Sequence, residues 1–147
     1  LYRSKVNNPW KLYCVGTGPL QSMLQFQEGI HDLGFRQPDS LPEIIHQVSA
    51  FVFPSQYEPW GVALQEAAAC QLPLICSDAC GAGVHLLQDN YNGFLFSAGN
   101  VVHLQDCLLR LSQSPKKSLQ KMGIRSFELS KQFTPERWSL TLLSTLS

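Results

Sequence analysis

Short apolar runs alternate along this chain with stretches whose apolar positions recur at helical spacing, and turn residues separate the two. Lys11 to Val15 is the first run, broken sharply by Gly16-Thr17-Gly18-Pro19. A helix is predicted from about Leu20 to Glu28, with Gly29 in the stop position. Ile30 to Leu33 forms a second strand ending at Gly34-Phe35. Ser40 is a candidate N-cap for a helix from Leu41 to Val48, with Pro42 and Glu43 suited to its first turn. Ala50 to Phe53 is a continuous apolar strand of the kind buried on both faces. Val62 to Cys70 is Ala-rich and helical, Leu72 to Cys76 is another buried strand, and Gly93 to Phe96 is a last short one. Val102, Leu104, Leu108 and Leu111 carry helical spacing through Val101 to Leu111, and Lys117 to Lys131 continues as helix. Thr134-Pro135-Glu136 reads as an N-cap and first turn of a terminal helix, with Leu140 and Leu143 on its inner face.

Strands separated by helices predict an α/β fold built on a doubly wound parallel sheet. At 147 residues, one domain spanning 1–147 is expected, with a real core and a closing helix at about 135–146. Leu1 to Asn8 has the character of a helix tail followed by a loop, with no strand before it. The expectation is therefore that the first βα unit of such a domain is missing from this chain.

Charge and cysteine content narrow the function classes. Eleven basic and eleven acidic side chains cancel, and no Lys/Arg run stands out, which argues against a nucleic-acid partner. No apolar stretch approaches the roughly 20 residues that span a bilayer, and no signal-peptide pattern opens the chain. The five cysteines form no C-x-x-C pair and read as free thiols of a reducing, cytoplasmic setting. Cys76 and Cys80 have ligand-like spacing, but no second pair or nearby His completes a set. Neither a metal nor another cofactor is expected.

Candidate chemistry concentrates in Phe51 to Glu66, FVFPSQYEPWGVALQE. One carboxylate, Glu58, stands at the mouth of a strand, and another, Glu66, about one turn inside the next helix. In an open α/β sheet, ligands bind in the crevice beyond the strand carboxyl ends. A helix N-terminus there attracts anions through its unpaired N–H groups and dipole, and Gly61 keeps bulk away from the approach. Glu66 is suited to accept two hydrogen bonds from a vicinal diol such as ribose. Glu58 is suited to bind sugar hydroxyls or to stabilise positive charge on an anomeric carbon. Spacing alone does not separate this reading from one in which both acids merely complement the helix dipole.

The order Pro54-Ser55, Glu58, Gly61, Glu66-Ala67-Ala68, Pro73, Ser77-Asp78, Gly81, Asn92-Gly93 resembles the C-terminal half of retaining GT-B glycosyltransferases of the family-4 type. Those carry P-S-x-x-E-x-x-G-x-x-x-x-E-A, with glutamates eight positions apart, as Glu58 and Glu66 are here. The resemblance runs through essentially the whole chain, with Val15 to Pro19 as the first glycine turn, Leu33-Gly34-Phe35 as the next strand end and Phe133 to Leu143 as the closing helix. It implies a Rossmann-like donor domain that moves a hexosyl-type sugar from a nucleoside-diphosphate sugar to a polysaccharide, glycolipid or small-molecule acceptor. It also implies retention of anomeric configuration.

Residue by residue, the resemblance gives Glu58 the catalytic position beside the donor sugar. It gives Pro59, Trp60, Gly61 and Val62 the turn that meets the sugar and diphosphate, and Glu66 the ribose hydroxyls. Gly34, Phe35 and Arg36 match the strand end where the base docks, and Gly16 and Gly18 the glycine turn near the site. For Arg36 a solvated surface charge is the equal alternative, and Trp60 reads as a wall packed at the turn.

Departures are confined to a few positions. Gln71 stands where the family usually has glycine after the helix, so a left-handed cap there would carry strain. Cys80-Gly81-Ala82-Gly83 replaces the commoner double glycine, and His85 sits where glutamate is frequent. His31, His46 and His103 are expected to be structural or solvated, without partners. The family's diphosphate-binding Arg and Lys, and its N-terminal acceptor domain, have no counterpart in these residues. The expected partners are therefore a nucleotide-sugar donor and an acceptor domain from the same protein, and the chain by itself is not expected to turn over. Peripheral membrane contact is compatible with such enzymes, although no amphipathic basic helix appears. The competing class is a binding or interaction module that kept the fold and lost catalysis. A flavodoxin-like or receiver domain would need an acidic or phosphate-loop pattern that is not present.

Overall fold

The computed structural model describes residues 1–145, which fall into two compact units, one of Leu1–Gln47 and one from Val48 onward. In the first unit β1 (Leu12–Cys14) pairs in parallel with β2 (Ile30–Asp32), Leu12 opposite Ile30 and Cys14 opposite Asp32. The helix predicted over 20–28 does not form; only a 3-10 turn, Gln21–Leu24, joins the two strands. The reason is local: Gln25 turns extended, with ψ 140, and Phe26 takes φ 62. Neither conformation continues an i→i−4 ladder. Ser40 occupies the expected N-cap position but makes no side-chain cap. It is itself helical, at φ −92 and ψ −11, and its hydroxyl donates back to the Gln37 carbonyl at 2.8 Å. Helix α1 covers only Leu41–Ile45, because Gln47 N–H bonds back three residues to Ile44, tightening the chain before Val48. No residue of this unit is fully buried.

The second unit holds a parallel sheet in the order β3 (Phe51–Phe53), β4 (Leu74–Ser77), β5 (Gly93–Phe96). Phe51 faces Leu74, which in turn faces Gly93, so β4 is the central strand. All four of its residues are buried, as the unbroken apolar run predicts. Strand β3 lies at the edge and is only half-buried, against the expectation of burial on both faces. Helix α2 (Val62–Ala69) connects β3 to β4, and the short α3 (Gly83–Leu86), not foreseen in the sequence, lies between β4 and β5. Then follow α4 (Val101–Ser112), α5 (Lys116–Ser130) and α6 (Pro135–Thr145).

The core joins Leu64, Ala67 and Ala68 of α2 to Leu74, Ile75 and Cys76, with Phe94, Phe96, Cys107 and Leu111. Val102 lies off the inner stripe of α4, 71% exposed, because the buried positions run through Cys107 and Leu111. Leu140 and Leu143 also depart from expectation: they are 66% and 63% exposed on α6. The Thr134 cap of that helix is present, Arg137 N–H donating to Thr134 Oγ1 at 3.3 Å. The predicted final residue of the helix, 146, lies outside the described residues. Among those described, no helix is long and apolar enough to cross a membrane. Parallel strands with flanking helices make this the expected α/β class.

Candidate active site

Beyond the carboxyl end of β3 the chain does not leave the sheet at once. Glu58 N–H donates to Ala79 O at 3.0 Å, and Gly81 N–H donates to Glu58 O at 3.0 Å, forming a parallel bridge between Glu58 and Cys80. Ala82 N–H and Cys80 Sγ both donate to the Trp60 carbonyl, at 2.7 and 3.0 Å. The turn from Glu58 to Gly61 is therefore pinned to the loop that follows β4. Gly81 has to be glycine for this, since a Cβ there would overlap the Pro59 carbonyl.

Gly61 is required twice over. Its φ of 105 lies in the left-handed region, and a Cβ would meet Cys80 Sγ at 2.7 Å. From Gly61 the chain enters α2, with Leu64 N–H closing on the Gly61 carbonyl at 3.0 Å. The N–H groups of Gly61, Val62 and Ala63 find no acceptor among the described residues, so three donors stand open at this helix start.

Glu58 is half-buried, and its Oε1 accepts from the Trp60 N–H at 3.2 Å, which folds the carboxylate over its own turn. The resemblance assigns the amides of this turn to the donor; the Trp60 amide already has a partner, and Pro59 has no N–H to give. Glu66 is exposed about one turn inside α2, where the sequence reading put it. It shares the outer face with Val62 four residues earlier, while Leu64, Ala67 and Ala68 face inward.

Trp60 is a packed wall. Its ring centroid lies 5.5 Å from Phe133 and 5.8 Å from His85, and those two lie 5.3 Å apart. Its indole Nε1–H donates to Gln65 Oε1 at 3.2 Å, and Gln65 Nε2–H donates to the Phe133 carbonyl at 2.8 Å. Neither Gln65 nor Phe133 was singled out for the site from sequence, and at 68 positions apart no local spacing signals the contact.

In the first unit, Gly16 and Gly34 come together directly, Gly16 N–H donating to Gly34 O at 2.8 Å at the ends of β1 and β2. Both have left-handed φ, 123 and 62. Gly18 lies further along the same turn, and Phe35 and Arg36 are exposed just after Gly34. Asp32 accepts from Gln21 Nε2 at 2.8 Å and from Gly34 N–H at 2.9 Å, and these bonds hold its carboxyl below the usual range. His31 and His103 do have partners, contrary to expectation. His31 stacks on Tyr13 at 4.9 Å, and His103 Nδ1 accepts from Ser97 N–H at 3.2 Å. Among the described residues no group of three metal-ligating side chains comes together.

Beyond β3 the sheet thus carries a glycine turn pinned to the loop after β4 and a helix start with unpaired N–H groups. Residues 1–114 match the family model for glycosyl transferases group 1, and the chain belongs to that family. It is 30% identical over 90 residues to an uncharacterized glycosyltransferase, MJ1607, of Methanocaldococcus jannaschii. It is 29% identical over 112 residues to the amylovoran biosynthesis glycosyltransferase AmsK of Erwinia amylovora. These matches cover 56% and 67% of this chain and only 23% and 27% of the relatives, so the chain spans about a quarter of their length. Anabaena HepE, solved in complex with UDP-glucose, superposes with a TM-score of 0.80 at 19% identity, over 99% of this chain and 43% of its own.

Proposed function

We propose that this chain is the donor-binding part of a retaining glycosyltransferase that takes a hexosyl group from a nucleoside-diphosphate sugar. The observation that carries the reading is the Glu58–Gly61 turn, locked to the loop after β4, with the Gly61, Val62 and Ala63 N–H groups unpaired among the described residues at the start of α2. Such an array suits an anion of two phosphates. Glu66, on the outer face of the same helix, is assigned the ribose hydroxyls, and Gly34, Phe35 and Arg36 the base. The presence of UDP-glucose in the complex of a structural neighbour supports a ligand of this class.

The chemistry follows from the same assignments. The bond from the anomeric carbon to the diphosphate breaks, and the acceptor oxygen bonds that carbon on the same face. The acceptor proton passes to the departing diphosphate oxygen. Glu58 stabilises the oxocarbenium-like charge electrostatically. No metal is assigned a step. The acceptor is read by a further domain of the same protein, so the 147 residues by themselves bind donor without transferring sugar.

Calorimetry against UDP, GDP and ADP tests the reading, with Glu66→Ala as control. One nucleotide should bind, and Glu66→Ala should weaken it about tenfold or more, as expected for charge-assisted hydrogen bonds of about 1.5–3 kcal/mol. Binding of none of the three, or equal binding by Glu66→Ala, would contradict it.

A further inference from the structure

We propose that Gln65 is a positioning residue for the donor turn, acting through the Trp60 indole; the inference rests on the donor-site reading above. Trp60 is the hub of that turn. Its N–H holds the Glu58 carboxylate, and its carbonyl takes Ala82 N–H and Cys80 Sγ. The path of residues 58–61 is thus tied to where the Trp60 side chain comes to rest.

That resting place is set by two kinds of contact. Ring packing against Phe133 and His85, at interplanar angles of 59° and 37°, places the indole but gives its Nε1–H no acceptor. The hydrogen bond from Nε1–H to Gln65 Oε1 fixes one orientation. A carboxamide is the neutral side chain that accepts and donates at once. Gln65 uses both ends, receiving the indole and giving its own Nε2–H to the Phe133 carbonyl at 2.8 Å. Phe133 stands just before α6, so the bridge anchors the donor turn to the stretch between α5 and α6. Gln65 itself lies on the half-buried flank of α2, immediately before Glu66 and outside the apolar core. Its hydrogen bonds, more than its bulk, therefore distinguish it from an aliphatic residue.

The test uses UDP, GDP or ADP, whichever the chain binds, with Gln65→Met, Trp60→Phe and the double variant. Gln65→Met should weaken the nucleotide about fivefold to tenfold, the loss expected of one or two neutral hydrogen bonds. Trp60→Phe keeps a ring and loses Nε1–H, and should weaken binding similarly. The double variant should be no worse than the weaker single, because both remove one interaction. The indole N–H signal in nitrogen-edited proton NMR, assigned by its loss in Trp60→Phe, should exchange faster with solvent in Gln65→Met. Gln65→Ala carries the same test if Gln65→Met does not fold. Unchanged nucleotide affinity in Gln65→Met, with the unsubstituted chain binding normally, overturns the inference alone, and so does strict additivity in the double variant. Failure of the unsubstituted chain to bind any of the three nucleotides overturns the donor reading and this inference together.

Discussion

Gln71 is the residue at which backbone and side chain disagree most plainly. It follows the Cys70 C-cap of α2 with φ 60, a left-handed conformation that costs a residue with a Cβ about 1–2 kcal/mol. The surrounding hydrogen bonds leave it little choice. Gln71 N–H returns to Ala68 O at 3.0 Å and Leu72 N–H to Ala67 O at 3.1 Å, the two bonds of a Schellman motif. That motif turns the chain from α2 into β4. Glycine would adopt the same φ without the steric cost, at some expense in unfolded-state entropy. Gln71→Gly should therefore raise stability by about 0.5–1 kcal/mol, read as a higher urea midpoint at unchanged slope. An equal or lower midpoint would mean that the glutamine side chain offsets its own strain.

Between elements, one side chain closes the loop before β5. Asn92 is fully buried, and its Oδ1 accepts from Gln88 N–H at 2.8 Å. Its Nδ2 donates to Leu86 O at 2.8 Å and to Ser126 Oγ of α5 at 3.0 Å. One amide thereby joins the end of α3, the loop into β5 and α5. Asn92→Ala strands these partners, and each buried group left unpaired costs about 1–3 kcal/mol, so a loss of about 2–4 kcal/mol in urea unfolding is expected. A change within about 0.5 kcal/mol would show that water or rotation re-satisfies them. The Asn92-Gly93 pair was visible in the sequence as a motif, whereas its three anchors were not. That contrast holds for the elements generally. Strands β4 and β5 and helices α2, α4 and α5 were legible because unbroken apolar runs and helical spacing report burial directly. The helix expected over 20–28 failed because Gln25 turns extended and Phe26 takes a left-handed φ, which no periodicity reports. At the candidate site the eight-residue interval from Glu58 to Glu66 and the demand for Gly61 could be read locally. The loop after β4 that pins the turn, and the Gln65 bridge to Phe133, join residues far apart in sequence and became visible only in the fold.

At the scale of the whole chain, the thiols couple folding to pH. Cys76, Cys80 and Cys107 are buried, Cys14 and Cys70 are half-buried, and all five are free. Burial raises Cys76 far above the ordinary thiol value, with the neighbouring Cys80 adding to the effect, and burial also raises Cys14, Cys70 and Cys107. An unfolded chain releases these protons near the usual value of 9.0. Above that pH the unfolded state therefore binds fewer protons than the folded one, and stability falls as pH rises. Below it, thiols are protonated in both states, and this contribution is flat. For Cys76 alone the loss between about pH 8 and about pH 10 is on the order of 1 kcal/mol. Cys76→Ala has no proton to release, so its stability should decline less over that interval. The gap between it and the unsubstituted chain, set at neutral pH by the sulfur's packing in the core, should narrow by the same amount. Urea unfolding of both proteins at the two pH values measures this directly. A gap independent of pH would mean that the Cys76 thiolate is tolerated inside the sheet, which the apolar neighbours Leu74 and Ile75 on the same strand argue against.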